Sequence, residues 1–194
     1  MDIINRVKNM LVAPKVEWPV IDGENDSHMS VSTKYVLLLA AIPAIAAFIG
    51  YGLIGYKVFG HHFASVNLGL KQAIVQYITM VGGVYITAFV INLLAENFGS
   101  KKNFDKAFSL VAYAYTPTFV GGIFLFYHPL SIIASLASIY SLVLLYIGLA
   151  PMMQTPTEKR TSYFVVSLLV MVAAFFVLSL VLAAILIGSS SFRY

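Results

Sequence analysis

The side chains of this sequence able to do chemistry are few: three of its four histidines, one carboxylate at the end of an apolar run, and a stripe of amides and hydroxyls. His61, His62 and His128 fall on one side of the membrane in the topology derived below. Three imidazoles can hold a metal ion with one position left open. Adjacent histidines do not easily bind one ion together, however, and no carboxylate stands near them in sequence to orient their rings. Histidines at the headgroup level are therefore the expectation, with no metal and no cofactor. Asn92 and Glu96 lie one helical turn apart on one face. Glu96 can gate a cytoplasmic vestibule or pair with Lys101 or Lys102. It can equally be a solvated helix end closed by Gly99. Gln72, Gln76, Thr79, Gly83 and Thr87 recur at helical spacing. That stripe can line a cavity, as Gln72, Gln76, Thr79, Asn92 and Glu96 together would. It can also hydrogen-bond the serines of a neighbouring helix. There is no cysteine. No nucleophile–base pair, paired carboxylate site or phosphate-binding loop is visible, so no catalytic residue is assigned and the chain is expected to be non-enzymatic.

The elements that carry these residues follow from composition. The 194 residues are 60% hydrophobic and 10% charged, against a charged share of about 25% in ordinary soluble domains. A net charge of +4 is too small to suggest nucleic acid as a partner; the partner expected is the lipid bilayer, with a protein partner or a second copy of the chain. Five charge-free apolar runs, at about 35–56, 72–95, 107–127, 130–150 and 163–187, each approach the roughly 20 residues that span a hydrocarbon core. The third and fourth are separated only by His128-Pro129, which predicts a tight hairpin. With five spans, Arg6, Lys8, Lys15, Lys34, Lys101, Lys102, Lys106, Lys159 and Arg160 face one side, and Lys57, Lys71 and Arg193 the other. Basic residues concentrate on the cytoplasmic side, so the N-terminus is expected inside and the C-terminus outside. The fold class is an all-α integral membrane protein, a five-helix bundle over 35–194, preceded by a cytoplasmic segment and linker at 1–34. The sequence shows no cleavable signal peptide.

Residues 1–11 predict a short amphipathic helix, with Ile3, Ile4, Val7, Met10 and Leu11 on one face and Asp2, Asn5, Arg6 and Asn9 away from it. Such a helix can lie in a membrane interface, and Trp18 can anchor it there. Alternatively, helix and tryptophan pack on the protein's own cytoplasmic side. Residues 22–33 read as a polar linker.

The packing centre is the stretch 111–122, which holds Tyr113, Tyr115, Thr116, Pro117, Gly121 and Gly122. Pro117 has no amide hydrogen and deprives the Tyr113 carbonyl of its helical donor. At membrane depth no bulk water replaces it; Thr116, Tyr115 or a neighbouring helix must. Pro43 predicts a second kink, in the first span. Small residues on the first and fourth spans, including Ser131, Ser135 and Ser138, predict close helix contacts, and the aliphatic fifth span is expected to face lipid.

Asn97-Phe98-Gly99, then Phe104 through Tyr113-Ala-Tyr115-Thr-Pro117, resembles the Yip family of Ypt/Rab-GTPase-interacting proteins, in particular its small bacterial inner-membrane branch. Pro14 to Glu17-Trp18 and Ile21, and Leu144-Leu-Tyr-Ile-Gly-Leu-Ala-Pro151, resemble that branch too. The resemblance implies a five-span membrane domain in the bacterial inner membrane. It also implies structural or interactive roles for Tyr113, Tyr115 and Pro117, supported by Gly99 and Pro151. Eukaryotic relatives act in vesicle traffic and membrane shaping through partners that include Rab GTPases. This chain lacks their long N-terminal region and the acidic Asp-Leu-Tyr-Gly-Pro motif before the first span. The function expected is a scaffold or adaptor in membrane organisation or trafficking; the alternative is a permease or channel for a small solute, lipid or ion.

Overall fold

Asp2 starts the first helix: its carboxylate accepts from the Ile4 amide at 3.0 Å, one of the donors that a helix leaves without an internal partner. Helix α1 (Ile3–Val12) stops where Pro14 opens α2 (Pro14–Glu24) as its first residue, a position at which the missing amide hydrogen costs nothing. Asn25 closes α2 in the left-handed conformation, and the Ser27 side chain caps α3 (His28–Val31). The computed structural model describes residues 2–58 and 61–190, with side chains at all of these except 56–58, 61, 174–175 and 177–190.

From α3 the chain stays helical to Ile54, through a π-helical turn at Ser32–Val36, α4 (Leu37–Phe48) and a second π-helical turn at Ile49–Ile54. Strands β1 (Tyr56–Val58) and β2 (His61–Phe63) pair antiparallel, with Lys57 opposite His62. Helix α5 (Val66–Leu94) passes into a 3-10 turn, Ala95–Phe98, ended by Gly99 at φ 67°. Asn103 caps α6 (Phe104–Ala114) by accepting from the Lys106 amide at 3.1 Å. There follow α7 (Thr116–Gly121), a 3-10 stretch Gly122–Phe126, α8 (Ser131–Met153) and α9 (Thr157–Ser190).

Four helical segments are long and apolar enough to cross a bilayer: His28–Ile54, Val66–Phe98, Phe104–Phe126 and His128–Met153. They contain or closely match the expected spans 35–56, 72–95, 107–127 and 130–150. The expected fifth span, 163–187, lies in α9, where residues 174–175 and 177–187 fall outside the described side chains. Two expectations about the joints change. Residues 22–33 are mostly helical rather than a linker, because a charge boundary marks where a chain leaves lipid and not where a helix begins. The start at His28 is held from outside, since the Asp105 carboxylate accepts from the His28 amide at 2.7 Å. The joint between the first two spans is the hairpin, which the sequence reading did not anticipate.

The third passage is the centre of the bundle. Its most apolar window is 67% buried, against 28% for that of His128–Met153. The N-terminal helices belong to the same core: Met10, Trp18 and Ile21 are buried in one cluster with Phe108, Leu110, Leu144 and Leu149. Of the two alternatives for Trp18, the structure takes the second. Its indole lies inside the protein, 1% exposed, instead of at the headgroup layer. Gly148 makes the room: a Cβ there would sit 2.5 Å from Leu110 Cδ1 and 2.7 Å from Trp18 Cε2. Trp18 is the chain's single tryptophan, so its emission reports this contact alone. We expect the native fluorescence to resist quenching by aqueous iodide, and Gly148→Val to make Trp18 quenchable. Ready quenching of the unsubstituted protein would place Trp18 outside the core.

Candidate functional site

The break between α6 and α7 organises the site. Pro117 leaves the Tyr113 carbonyl without a helical donor, and the Thr116 hydroxyl donates to it at 2.6 Å. Thr116 is fully buried. Its single proton is thereby used, so the Tyr35 hydroxyl, 2.6 Å from Thr116 Oγ1, donates to Thr116. Tyr35 comes from the π-helical turn Ser32–Val36, and its ring meets that of Tyr113 edge-on with centroids 4.8 Å apart. Two residues after Tyr113, the Tyr115 hydroxyl lies 3.2 Å from Thr87 Oγ1 of α5. Proline, threonine and two tyrosines thus tie three spans at one level.

Over the Tyr113 ring lies Arg6, its Cζ 5.3 Å from the centroid, within cation–π range. Arg6 is 4% exposed. Its Nη1 donates to Glu17 Oε1 and its Nη2 to Glu24 Oε1, while Asn9 Nδ2 donates to Glu17 Oε2 at 2.9 Å. One guanidinium on α1 therefore holds both carboxylates of α2. This corrects the expectation that Arg6 lies away from the apolar face. Residue 6 borders the arc of 10, 3 and 7 on a helical wheel, next to residue 10, and that adjacency was the available signal; its charge argued the other way. Glu17, Glu24 and Tyr35 had no signal of their own, because only packing brings them to Arg6 and Thr116. Lys106 Nζ to Asp22 Oδ1 at 2.7 Å, and His28 Nδ1 to Asp105 Oδ1 at 2.6 Å, tie the same N-terminal elements to α6. The Tyr140 hydroxyl donates to the Leu11 carbonyl at 3.0 Å.

The glycine pair lets α7 close on two neighbours. A Cβ at Gly121 would meet Ala137 Cβ at 2.3 Å, and one at Gly122 would meet Pro43 Cβ at 2.5 Å. Gly122 therefore packs the third passage directly against Pro43 of α4. Pro151 sits in the last turn of α8, half-buried, just before Thr155 donates to the Leu149 carbonyl at 2.9 Å.

The polar stripe of α5 divides. Thr87 serves the kink, and Gly83 lies beside the Tyr115 ring. Gln76 lines a cleft of about 230 Å³ with Thr118, Ser131, Ser135 and Ser138. Thr118 and Ser138 also border a more apolar cleft of about 290 Å³ with Tyr115, Ile139 and Leu142. Gln72 is half-buried and Thr79 exposed, and neither is among the residues lining these clefts. Asn92 Oδ1 is buried without a partner among the described residues. Glu96 stands apart from the clefts, its side chain 69% exposed and 3.8 Å from Lys102 Nζ, beside the Gly99 turn. His62 Nε2 is 2.8 Å from the Ile54 carbonyl. His128 borders a small cavity with Gly50, Tyr51 and Gly55, and the side chain of His61 lies outside the described residues. Among the described residues no three His, Cys, Asp or Glu side chains are grouped to hold a metal ion.

Residues 8–190 match the Yip1 domain. The chain belongs to the Yip1 family. It is 30% identical over 166 residues, 82% of this chain and 85% of the relative, to inner membrane protein YohC of Escherichia coli strain K12; the same values hold for YohC of strain O6:H1. This Yip1-domain protein is thus a homologue of an inner membrane protein, with several helices fit to cross a membrane. No solved structure matches it. The matched region takes in Glu17, Tyr35, Thr87 and the Tyr113–Pro117 kink, while Arg6 lies just ahead of it.

Two substitution pairs test this geometry by thermal unfolding in detergent. Thr116→Val orphans the Tyr113 carbonyl and the Tyr35 hydroxyl and is expected to cost about 1–3 kcal/mol for each. Tyr35→Phe keeps the Thr116–Tyr113 bond and should cost about 1 kcal/mol; equal losses would remove the relay from the account. Arg6→Met alone strands buried Glu17 and should cost about 3–5 kcal/mol. Adding Glu17→Leu should restore most of that, because Glu24 reaches solvent.

Proposed function

We propose that this Yip1-family protein is a non-enzymatic scaffold or adaptor of the bacterial inner membrane, serving membrane organisation or trafficking. One observation carries the reading. At the family's own motif, the buried hydroxyls and charges are occupied in holding segments together. Tyr35, Thr116, Tyr115, Thr87 and Arg6 each bond or stack on another element of this chain. None of them is presented as a nucleophile or base. We take α9 as a fifth span, with the N-terminus cytoplasmic and the C-terminus outside, on the distribution of basic residues. Ile4, Val12, Val16 and Val20 of α1 and α2 are exposed, which suits a helix pair lying in the membrane interface. A protein partner or second copy finds a broad apolar surface on α8, where Ile132, Leu136 and Ile139 are exposed.

The cleft at Gln76 favours a second reading, a permease or channel for a small neutral solute or lipid. Its lining holds hydroxyls and an amide but no ionisable side chain, so coupling to a gradient has no charge to work with.

Photo-crosslinking groups at Ile132 and Leu136, activated in native membranes, are expected to give a discrete crosslinked species under the scaffold reading. Vesicles carrying the purified protein should show no solute or proton flux above empty vesicles. Flux that falls with Gln76→Leu would transfer the function to the cleft.

A further inference from the structure

Arg6 and Arg160 are both drawn into the protein, with opposite outcomes. Arg6 holds two carboxylates. Arg160 stacks on Tyr146 of α8, with Cζ 5.9 Å from the ring centroid. Among the described residues its Nε, like that of Arg6, is buried without a hydrogen-bond partner, but unlike Arg6 it takes part in no ion pair. A partly desolvated guanidinium without an acceptor is unfavourable unless an anion meets it. Its planar fork suits phosphate oxygens better than a point charge would.

The location says which anion. Tyr146 lies seven residues before the end of α8 at Met153, so Arg160 reaches about 10 Å inside the end of that span, at 1.5 Å per residue. The headgroup region is about 5–8 Å deep on each side, so a point that far inside the end of a span lies at or below it, on the lipid side of bulk water. Beside it, Tyr146 and Thr161 pair their hydroxyls at 3.1 Å in an exposed position. Val165, Leu169 and Val172 continue the Thr161 face along α9, exposed, as a surface for acyl chains. More cations flank the site. The Lys159 ammonium lies near Gly99. The Lys101 amide donates to the Met153 carbonyl at 2.9 Å, and Ser100 to Thr155 at 2.9 Å, which fixes the lysine-bearing joint against the start of α9. Lys102 pairs with Glu96 at 3.8 Å, whereas Lys101 and Lys159 form no ion pair among the described residues.

We propose that Arg160, with the Tyr146–Thr161 hydroxyls beside it and Lys159 and Lys101 flanking, binds the phosphate of an anionic phospholipid headgroup. Basic pockets between membrane helices recognise such headgroups elsewhere. The site does not depend on the scaffold reading, nor on which way the chain faces.

The test is a lipid titration of the full-length, detergent-solubilised protein followed by native mass spectrometry. Dioleoylphosphatidylglycerol is the probe and dioleoylphosphatidylcholine the zwitterionic control. Phosphatidylglycerol should bind more tightly, and Arg160→Gln should weaken it about tenfold, the loss of one charge-assisted hydrogen bond. Lys8→Gln should leave it unchanged, and inorganic phosphate should not displace it. Equal affinity for the two lipids, undiminished phosphatidylglycerol binding by Arg160→Gln, or displacement by inorganic phosphate would each overturn the proposal. If Arg160→Gln does not fold, the lipid comparison and the phosphate competition on the unsubstituted protein decide it.

Discussion

Pro117 leaves one carbonyl, that of Tyr113, without its helical donor in a layer where bulk water cannot help. Much of the bundle is arranged by the answer. Thr116 bends its hydroxyl back onto that carbonyl, and Thr116 in turn accepts from Tyr35. For Tyr35 to reach, the first span winds through a π-helical turn at Ser32–Val36, a local irregularity of the kind often found where a helix serves a special contact. The break also turns Gly122 onto Pro43 and Gly121 onto Ala137. A single missing amide hydrogen is thus linked to the approach of the first, third and fourth spans.

The N-terminal helices close the same centre from the other side. A buried arginine is tolerated where its donors are satisfied and its carboxylates are themselves bonded. Arg6 meets that condition at both terminal nitrogens through Glu17 and Glu24, with Asn9 on the remaining Glu17 oxygen, while its Nε is buried without a partner among the described residues. The charged cluster gives the α1–α2 pair one orientation, and the Tyr113 ring beneath it and Trp18 against Gly148 fix that pair on the bundle. Membership of the Yip1 family, with a match from residue 8, accords with helices that are part of the domain rather than an appendage.

The third passage and the helices that follow it differ in how far they are sheltered. The third passage is sheltered by the others, so it can hold a kink, two tyrosines and a threonine. By contrast, α8 and the start of α9 are exposed over much of their surface, and there Arg160 Nε and Ser167 Oγ are buried without partners among the described residues. The same rule of polar satisfaction, applied inside the protein and at its rim, yields a self-contained relay in one place and an open cation in the other.

Sequence alone determined the class, the placing of four of the spans and the Tyr113 carbonyl that needs a substitute donor. Run length and charge spacing are local properties, and a proline in an apolar run creates its demand for a donor wherever the run folds. The choice of Thr116 among the three donors open to that carbonyl needed the structure, as did Tyr35, which is distant in the chain and ordinary in its own neighbourhood. Trp18 and Arg6 mark the limit. An amphipathic helix ending in an indole reads the same whether its apolar face meets lipid or protein, since both are apolar. Only the notch at Gly148 decided for protein. Arg6 sits at the border of the apolar helical face, and the counter-charges that make its burial tolerable lie on another helix. Pairing between segments is a tertiary property, and so are the division of the α5 stripe between kink and cleft and the hairpin after the first span.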